Sequence, residues 1–197
     1  MKCGIFGGAF NPFHNGHLHL VNSFIDKLGL ERVILIPTHI PPHKASGELV
    51  SGQHRINMLI AAFEGDSRFE VSDIEFRRNG SSYTFDTLNE LRTEYPDDEL
   101  YLIIGSDQYL SFDTWYKARE ITRSVTVCSA ARHNDELEMM LRFRAENGFM
   151  QSSIVAHFDV VELSSTEIRN RVKNGISITG LVPPAVEKYI RDNNLYV

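Results

Sequence analysis

The sequence predicts an α/β fold, a doubly wound, mostly parallel Rossmann-like sheet with helices on both faces. Three observations carry that expectation. Short continuous apolar runs recur along the chain, as in Arg-Val-Ile-Leu-Ile at 32–36 and Leu-Tyr-Leu-Ile-Ile at 100–104. Such runs suit parallel strands buried on both faces. Segments with apolar residues at helical spacing separate them, and strand–helix–strand order implies right-handed crossovers. With 197 residues, the whole chain, 1–197, is expected to fold as one domain with a substantial core.

The elements follow in order. Residues 2–6 read as the first strand. Leu18, Val21, Phe24, Ile25 and Leu28 mark the first helix, stopped by Gly29. Residues 32–36 form the second strand. Residues 37–50 contain Pro37, Pro41, Pro42, Gly47 and two histidines without a period, a loop long enough to be functional. Ser51 caps a helix whose apolar positions are Ile56, Leu59, Ile60 and Phe63. Residues 69–76 alternate weakly and read as a strand, 77–82 as a turn, and 83–94 as a helix ended by Pro96. Residues 100–104 are the strongest candidate for a central strand, with Gly105-Ser106-Asp107 at its carboxyl end. A helical stretch at 112–121 holds the sole tryptophan, Trp115. A strand at 124–129, a helix at 136–147 with a Met139-Met140 core stripe, and a strand at 154–163 come next. Ser164 to Thr166 open a helix running to Val172, and Pro183-Pro184 starts the last one.

Composition excludes some functions. A net charge of −6 provides no bulk basic field for nucleic acid or a polybasic membrane contact. No apolar run approaches the ~20 residues that span a bilayer, and no signal-peptide pattern opens the chain, so a cytoplasmic protein is expected. Cys3 and Cys128 lie in strand-like stretches and are too few for a disulfide framework or a metal site.

Chemistry concentrates in three places. Residues 7–17, Gly-Gly-Ala-Phe-Asn-Pro-Phe-His-Asn-Gly-His, run from a strand through paired glycines and a turn into a helix. If the first turn is already helical at His14, then His14 and His17 share one face. The helix's unpaired N–H groups and positive dipole end point the same way, which suits phosphate. A second anion site is the helix start Ser164-Ser165-Thr166 with Arg169 one turn along. A third is Pro41-Pro42-His43-Lys44, which would bring a lysine over a nucleotide. Taken alone, a Ser-Ser-Thr helix start is more often an ordinary cap, and Trp115 more often a core aromatic. His39 and His43 have i, i+4 spacing, but prolines between them argue against a helical zinc pair. His54, His133 and His157 read as structural, and Arg132 as a solvated arginine within possible reach of an adenine.

His14-Asn15-Gly16-His17 and Leu163-Ser164-Ser165-Thr166-Glu167-Ile168-Arg169 resemble the HxGH and (I/L)SSTxxR motifs of the nucleotidyltransferase superfamily. Gly7 to Pro12, the Pro-Pro-His-Lys loop, the Ser82 to Leu88 segment, Ile104 to Asp107 followed by Trp115-Tyr116, and the 182–196 tail are similar to the nicotinate-nucleotide adenylyltransferase family. The family more often has Asp where this chain has Asn11. The resemblance implies transfer of the adenylyl group of ATP to nicotinate mononucleotide, giving nicotinate adenine dinucleotide and pyrophosphate in NAD biosynthesis. Mg²⁺ would accompany ATP, and no residue is assigned to a resident metal. The nucleophile, a phosphate oxygen, is already anionic, so positioning and electrostatics should carry the catalysis.

By that resemblance, His14, His17 and Arg169 would be catalytic. Gly7, Gly8, Ala9, Phe10, Lys44, Ser164, Ser165 and Thr166 would bind ATP and its phosphates. Tyr83, Thr84, Gly105, Asp107 and Trp115 would bind the mononucleotide, Trp115 by stacking on the pyridine and Asp107 by accepting from a ribose. Pantetheine-phosphate adenylyltransferase and cytidylyltransferase readings leave the Ser-Tyr-Thr segment and Trp115 unused. A nucleotide sensor without catalysis sits poorly with intact His17 and Arg169. A dinucleotide oxidoreductase would need Gly-x-Gly-x-x-Gly and an acid after the second strand. Both mononucleotide forms, acid and amide, stay open on the residues alone, as does a homo-oligomer.

Overall fold

In this computed structural model, all residues except 41–48, 132, 160 and 162 are described. Six strands form one parallel sheet: β1 (Lys2–Gly8), β2 (Arg32–Pro37), β3 (Phe69–Val71), β4 (Glu99–Ile104), β5 (Thr126–Ala131) and β6 (Ile154–His157). Their order is β3-β2-β1-β4-β5-β6, so the winding reverses between β1 and β4, the crevice where ligands bind in such sheets. β1 places Phe6 opposite Ile103 of β4. Gly8 and Gly105 therefore leave the sheet at the same level, at its carboxyl edge.

The strands are apolar throughout because both faces are covered. Alternate side chains go to opposite sides. Ile5, Ile34, Ile36, Leu102 and Ile104 pack with Leu88 and Leu91 of α3 (Thr84–Glu94), Ile121 of α5 (Ala118–Ser124) and Met140 of α6 (Asn134–Glu146). Phe6, Val33, Leu35, Tyr101 and Ile103 pack with Val21, Phe24 and Ile25 of α1 (Asn15–Leu28) and Leu59 of α2 (Gly52–Ala62). The buried cysteines join these cores. Burial pushes the Cys128 thiol up to about 12 and raises Cys3 as well, so both act as small hydrophobes.

A third cluster, off the sheet, positions the C-terminal half of the site. Met58 of α2 and Ile168 of α7 (Ser165–Lys173) pack with Ile178, Val182, Leu195, and Val186 and Ile190 of α8 (Pro184–Asp192). Asn15 ties α1 to the same body, its N–H donating to Leu181 O at 2.9 Å and its amide to Gly180 O at 2.8 Å. Among the described residues no helix is long and apolar enough to cross a membrane.

Four expectations are corrected. The strand expected at 69–76 stops at Val71, and Ile74–Arg77 is a 3₁₀ turn. β3 pairs only with Val33 to Leu35 of β2, and beyond that Ile74 and Glu75 turn into the interior. The strand expected at 154–163 ends at His157, opposite the last residue of β5. The single helix at 112–121 is broken into a 3₁₀ turn, Phe112–Thr114, and α5, with Lys117 between them in the left-handed region at φ 55°. Finally, two apolar stripes are set differently. In α2 the buried residues are Arg55, Met58 and Leu59, while Ile60 is exposed. In α6 Met140 is buried and Met139 faces outward. Both follow from the partner surface, which periodicity does not specify.

Ile168 is the sole fully buried side chain of α7. Ile168→Ala should cost about 2–5 kcal/mol through lost burial and a residual cavity. The check is urea unfolding: the midpoint should fall with the slope unchanged, and an unmoved midpoint would show that α7 is held by something other than this contact.

Candidate active site

The first half of the site is the entry to α1. His14 is not in the first helical turn, as i, i+3 sharing supposed. It is the N-cap, with extended backbone, and its ring takes the capping role usual for Ser or Asp. The His17 N–H donates to His14 Nδ1 at 3.3 Å, and the His14 N–H donates to His17 Nδ1 at 3.3 Å. This reciprocal capping box stacks the two imidazoles, ring centres 3.6 Å apart and 18° from parallel. Because each Nδ1 lone pair is committed to a backbone donor, each neutral ring carries its proton on Nε2. Two N–H donors are thus set side by side.

Gly16 makes the stack possible. A Cβ there would lie 3.0 Å from Val161 O and 3.1 Å from His14 Nδ1. Beneath His17 lies an aromatic bed. Phe6, Phe10 and Phe13 have ring centres 5.9, 5.3 and 5.4 Å from it. Phe10 holds φ 46°, unusual for a bulky residue, and the residue is 2% exposed. Its side chain therefore belongs to the core, and it can meet a ligand only through its backbone.

The second half is the entry to α7. Ser164 caps it, accepting from the Glu167 N–H at 3.1 Å. Ser165 Oγ donates to Pro12 O at 2.9 Å, and Arg169 donates to Asn11 O at 3.0 Å and to Thr166 Oγ1 at 3.4 Å. The turn between β1 and α1 is thus clasped by the start of α7, and two helix N-termini meet at one place. The hydroxyl of Ser165 is committed to Pro12; what it and Thr166 offer an anion is their backbone N–H groups in the first helical turn.

Asn11 is the centre of the clasp. It is 3% exposed, and its Oδ1 accepts from Tyr196 O–H at 2.9 Å and from the Val50 N–H at 3.3 Å. Both bonds need only an acceptor oxygen, which Asn and Asp each have; the departure at this position keeps the contact. Burial raises the pKa of Tyr196, so it stays a neutral donor.

The other side of the crevice lies past β4. Gly105 caps α4 (Ser106–Tyr109), and Asp107 is exposed there, its Oδ1 folded back toward Gly105, 2.7 Å from where a Cβ would be. Trp115 is half-buried, its ring 4.9 Å from Phe112. Tyr83, the N-cap of α3, and Thr84 reach the same neighbourhood through Tyr116, whose ring centre is 4.8 Å from that of Tyr83. The five residues expected on this side thus fall in two adjoining loops. Gly7 and Gly8 close β1 between the two halves.

Lys44, His43 and Arg132 lie outside the described residues. His39 is used through its backbone N–H, which donates to the buried carboxylate of Glu75 at 3.2 Å. His54 bonds Tyr189 O–H at 3.0 Å, joining α2 to α8. Sequence reasoning missed two residues. Tyr196 carries no motif of its own. Arg55 is 2% exposed and donates to Ala9 O at 2.9 Å, Thr38 O at 2.7 Å and Val50 O at 3.3 Å. Its one signal was its place four residues before Leu59, on the helix face that is buried.

The chain resembles known proteins along nearly its whole length. The cytidylyltransferase-like family model matches residues 5–171. A probable nicotinate-nucleotide adenylyltransferase of Carboxydothermus hydrogenoformans is 41% identical, with 99% of this chain and 98% of that protein aligned. One of Borreliella burgdorferi is 39% identical, covering 100% and 97%. Among solved structures, a putative nicotinate-nucleotide adenylyltransferase from Vibrio parahaemolyticus superposes with TM-score 0.72 at 26% identity, covering 100% and 96%. The Plasmodium falciparum nicotinic acid mononucleotide adenylyltransferase complexed with NaAD shares the fold, TM-score 0.75 at 18% identity, covering 99% and 97%. With the HxGH and SSTxxR segments meeting at one turn, and relatives matched end to end, the chain belongs to the cytidylyltransferase-like family, among its nicotinate-nucleotide adenylyltransferases.

Proposed function

We propose that this chain transfers the adenylyl group of ATP to nicotinate mononucleotide. The observation that carries the reading is the convergence of the stacked His14–His17 pair and the α7 entry on the Asn11–Pro12 turn. A phosphate oxygen of the mononucleotide attacks the α-phosphorus in line. The new P–O bond forms as the bond to the β-phosphate oxygen breaks, and pyrophosphate leaves with the electron pair. The attacking oxygen has no proton to lose, so no general base is needed. The barrier lies in bringing anions together and in charge moving to the leaving group.

The residues fit those demands. The Nε2–H donors of His14 and His17 are held by packing and by the capping box, so they need no reorganisation when charge builds on the α-phosphate. Arg169 and the first N–H groups of α7 hold the β- and γ-phosphates and stabilise pyrophosphate as it departs. Mg²⁺ would enter with ATP and would offset part of the phosphate charge. Trp115 stacks on the pyridine, main-chain groups at Tyr83 and Thr84 meet its carboxylate, and Asp107 accepts from a ribose hydroxyl.

Three outcomes test this. Incubation with ATP, Mg²⁺ and nicotinate mononucleotide should release pyrophosphate, with phosphopantetheine inert; no turnover on the mononucleotide defeats the reading. His17→Ala should lower kcat by about 100- to 1,000-fold, as expected for removing one preorganised donor, while the mononucleotide KM moves little. An unchanged kcat refutes the role given to His17. Trp115→Ala should raise the mononucleotide KM by about 3- to 10-fold, the size of an aromatic stacking contribution; an effect confined to ATP counts against stacking.

A further inference from the structure

Arg55 is a cation buried without a counterion. Among the described residues it forms no ion pair, and the three acceptors it contacts are backbone carbonyls from three separate segments. Burying a guanidinium costs several kcal/mol unless partners replace its water. Carbonyl dipoles replace the hydrogen bonds but do not cancel the charge. Burial accordingly pulls the Arg55 pKa down from its usual value, with the neighbourhoods of Tyr196 and Glu75 opposing that; the group remains protonated, as arginine does in proteins. Among the described residues no carboxylate bonds it directly, and the buried Glu75 acts on it only through its field.

The contacts say what the cation is for. One of them is Ala9 O, at the turn that leaves β1. In a trans peptide the C=O and the following N–H point in opposite directions. With Ala9 O aimed at the buried guanidinium, the Phe10 N–H points the opposite way, away from Arg55. Phe10 sits at φ 46°, a conformation that persists only when surroundings over-determine it. Arg55 on one side and the Phe6 and Phe13 rings on the other, 5.4 and 5.6 Å from the Phe10 ring, supply that constraint. The remaining contacts, Thr38 and Val50, tie the end of β2 and the start of α2 to the same turn. The other face of the guanidinium is covered by Phe76, its ring centre 5.6 Å from the guanidinium carbon. Gly52 allows this, since a Cβ there would fall 2.0 Å from Phe76 Cε1.

We propose that Arg55 is a positioning residue for the ATP triphosphate: from beneath the turn it sets the Ala9–Phe10 peptide so that the Phe10 N–H faces the phosphates, and its charge attracts them when ATP binds. This deepens the adenylyltransferase reading and rests on it.

Arg55→Lys keeps the charge but cannot bond three carbonyls at once, and Arg55→Gln keeps a donor but loses the charge. Calorimetric titration of each with ATP and, separately, with nicotinate mononucleotide should show ATP affinity weakened at least about 10-fold and mononucleotide affinity within about twofold of wild type. Equal weakening of both ligands in a folded variant means a merely structural role, and unchanged ATP affinity means none; either overturns the proposal. The wild-type protein provides a readout that survives if both variants fail to fold. Saturating ATP should slow hydrogen exchange at the Phe10 amide, and nicotinate mononucleotide alone should not. No slowing with ATP overturns the proposal. Wild-type turnover measured alongside separates the two claims: its absence defeats the adenylyltransferase reading, whereas turnover without an ATP-selective change defeats the role of Arg55 alone.

Discussion

Everything in the site depends on one turn, Asn11–Pro12, being held between two helices that are far apart in the chain. Arg169 and Ser165 bond its two carbonyls from α7, while Tyr196 and Val50 bond the Asn11 side chain from the C-terminus and from the segment before α2. The turn in turn fixes where α1 begins, and so where His14 and His17 stack. An isolated turn of this length has no means of holding such a conformation against chain entropy. Its four external bonds and the Phe10 and Phe13 rings buried beside it supply the restraint.

The electrostatic design follows the same logic. Arg55 and Arg169 both bond backbone carbonyls around this turn, and two helix entries add the positive ends of their dipoles. Such an arrangement carries net positive potential where a polyphosphate would sit. Its cost is borne by the third hydrophobic cluster, where Ile168, Val186 and Ile190 dock α7 and α8 against α2. Fully burying a side chain of that size is worth roughly 1.5–3 kcal/mol, so several of them outweigh the desolvation of one guanidinium. The buried charge near the turn is thus offset by apolar packing one helix turn away.

The fold was legible because its signals are local. Continuous apolar runs at 32–36 and 100–104 became β2 and β4, Gly29 and Ser51 acted as cap residues where expected, and the HxGH and SSTxxR segments sat at helix starts. Errors fell where a partner decides the outcome. β3 and β6 are short because each pairs with only part of its six-residue neighbour, over three and four residues. Ile60 and Met139 are exposed because the surface opposite α2 and α6 selects one of several plausible apolar faces.

The sequence by itself determined the alternation of strands and helices, the helix starts at the HxGH and SSTxxR segments, and the family, since each is written in contiguous residues whose spacing has a physical meaning. Only the tertiary structure decided that His14 caps rather than begins α1, that Asn11 is bonded by Tyr196, and that Arg55 lies buried beneath the turn that leaves β1. The last two facts join residues 46 and 185 positions apart, and no local pattern encodes a contact whose geometry is set by how three helices pack against one another.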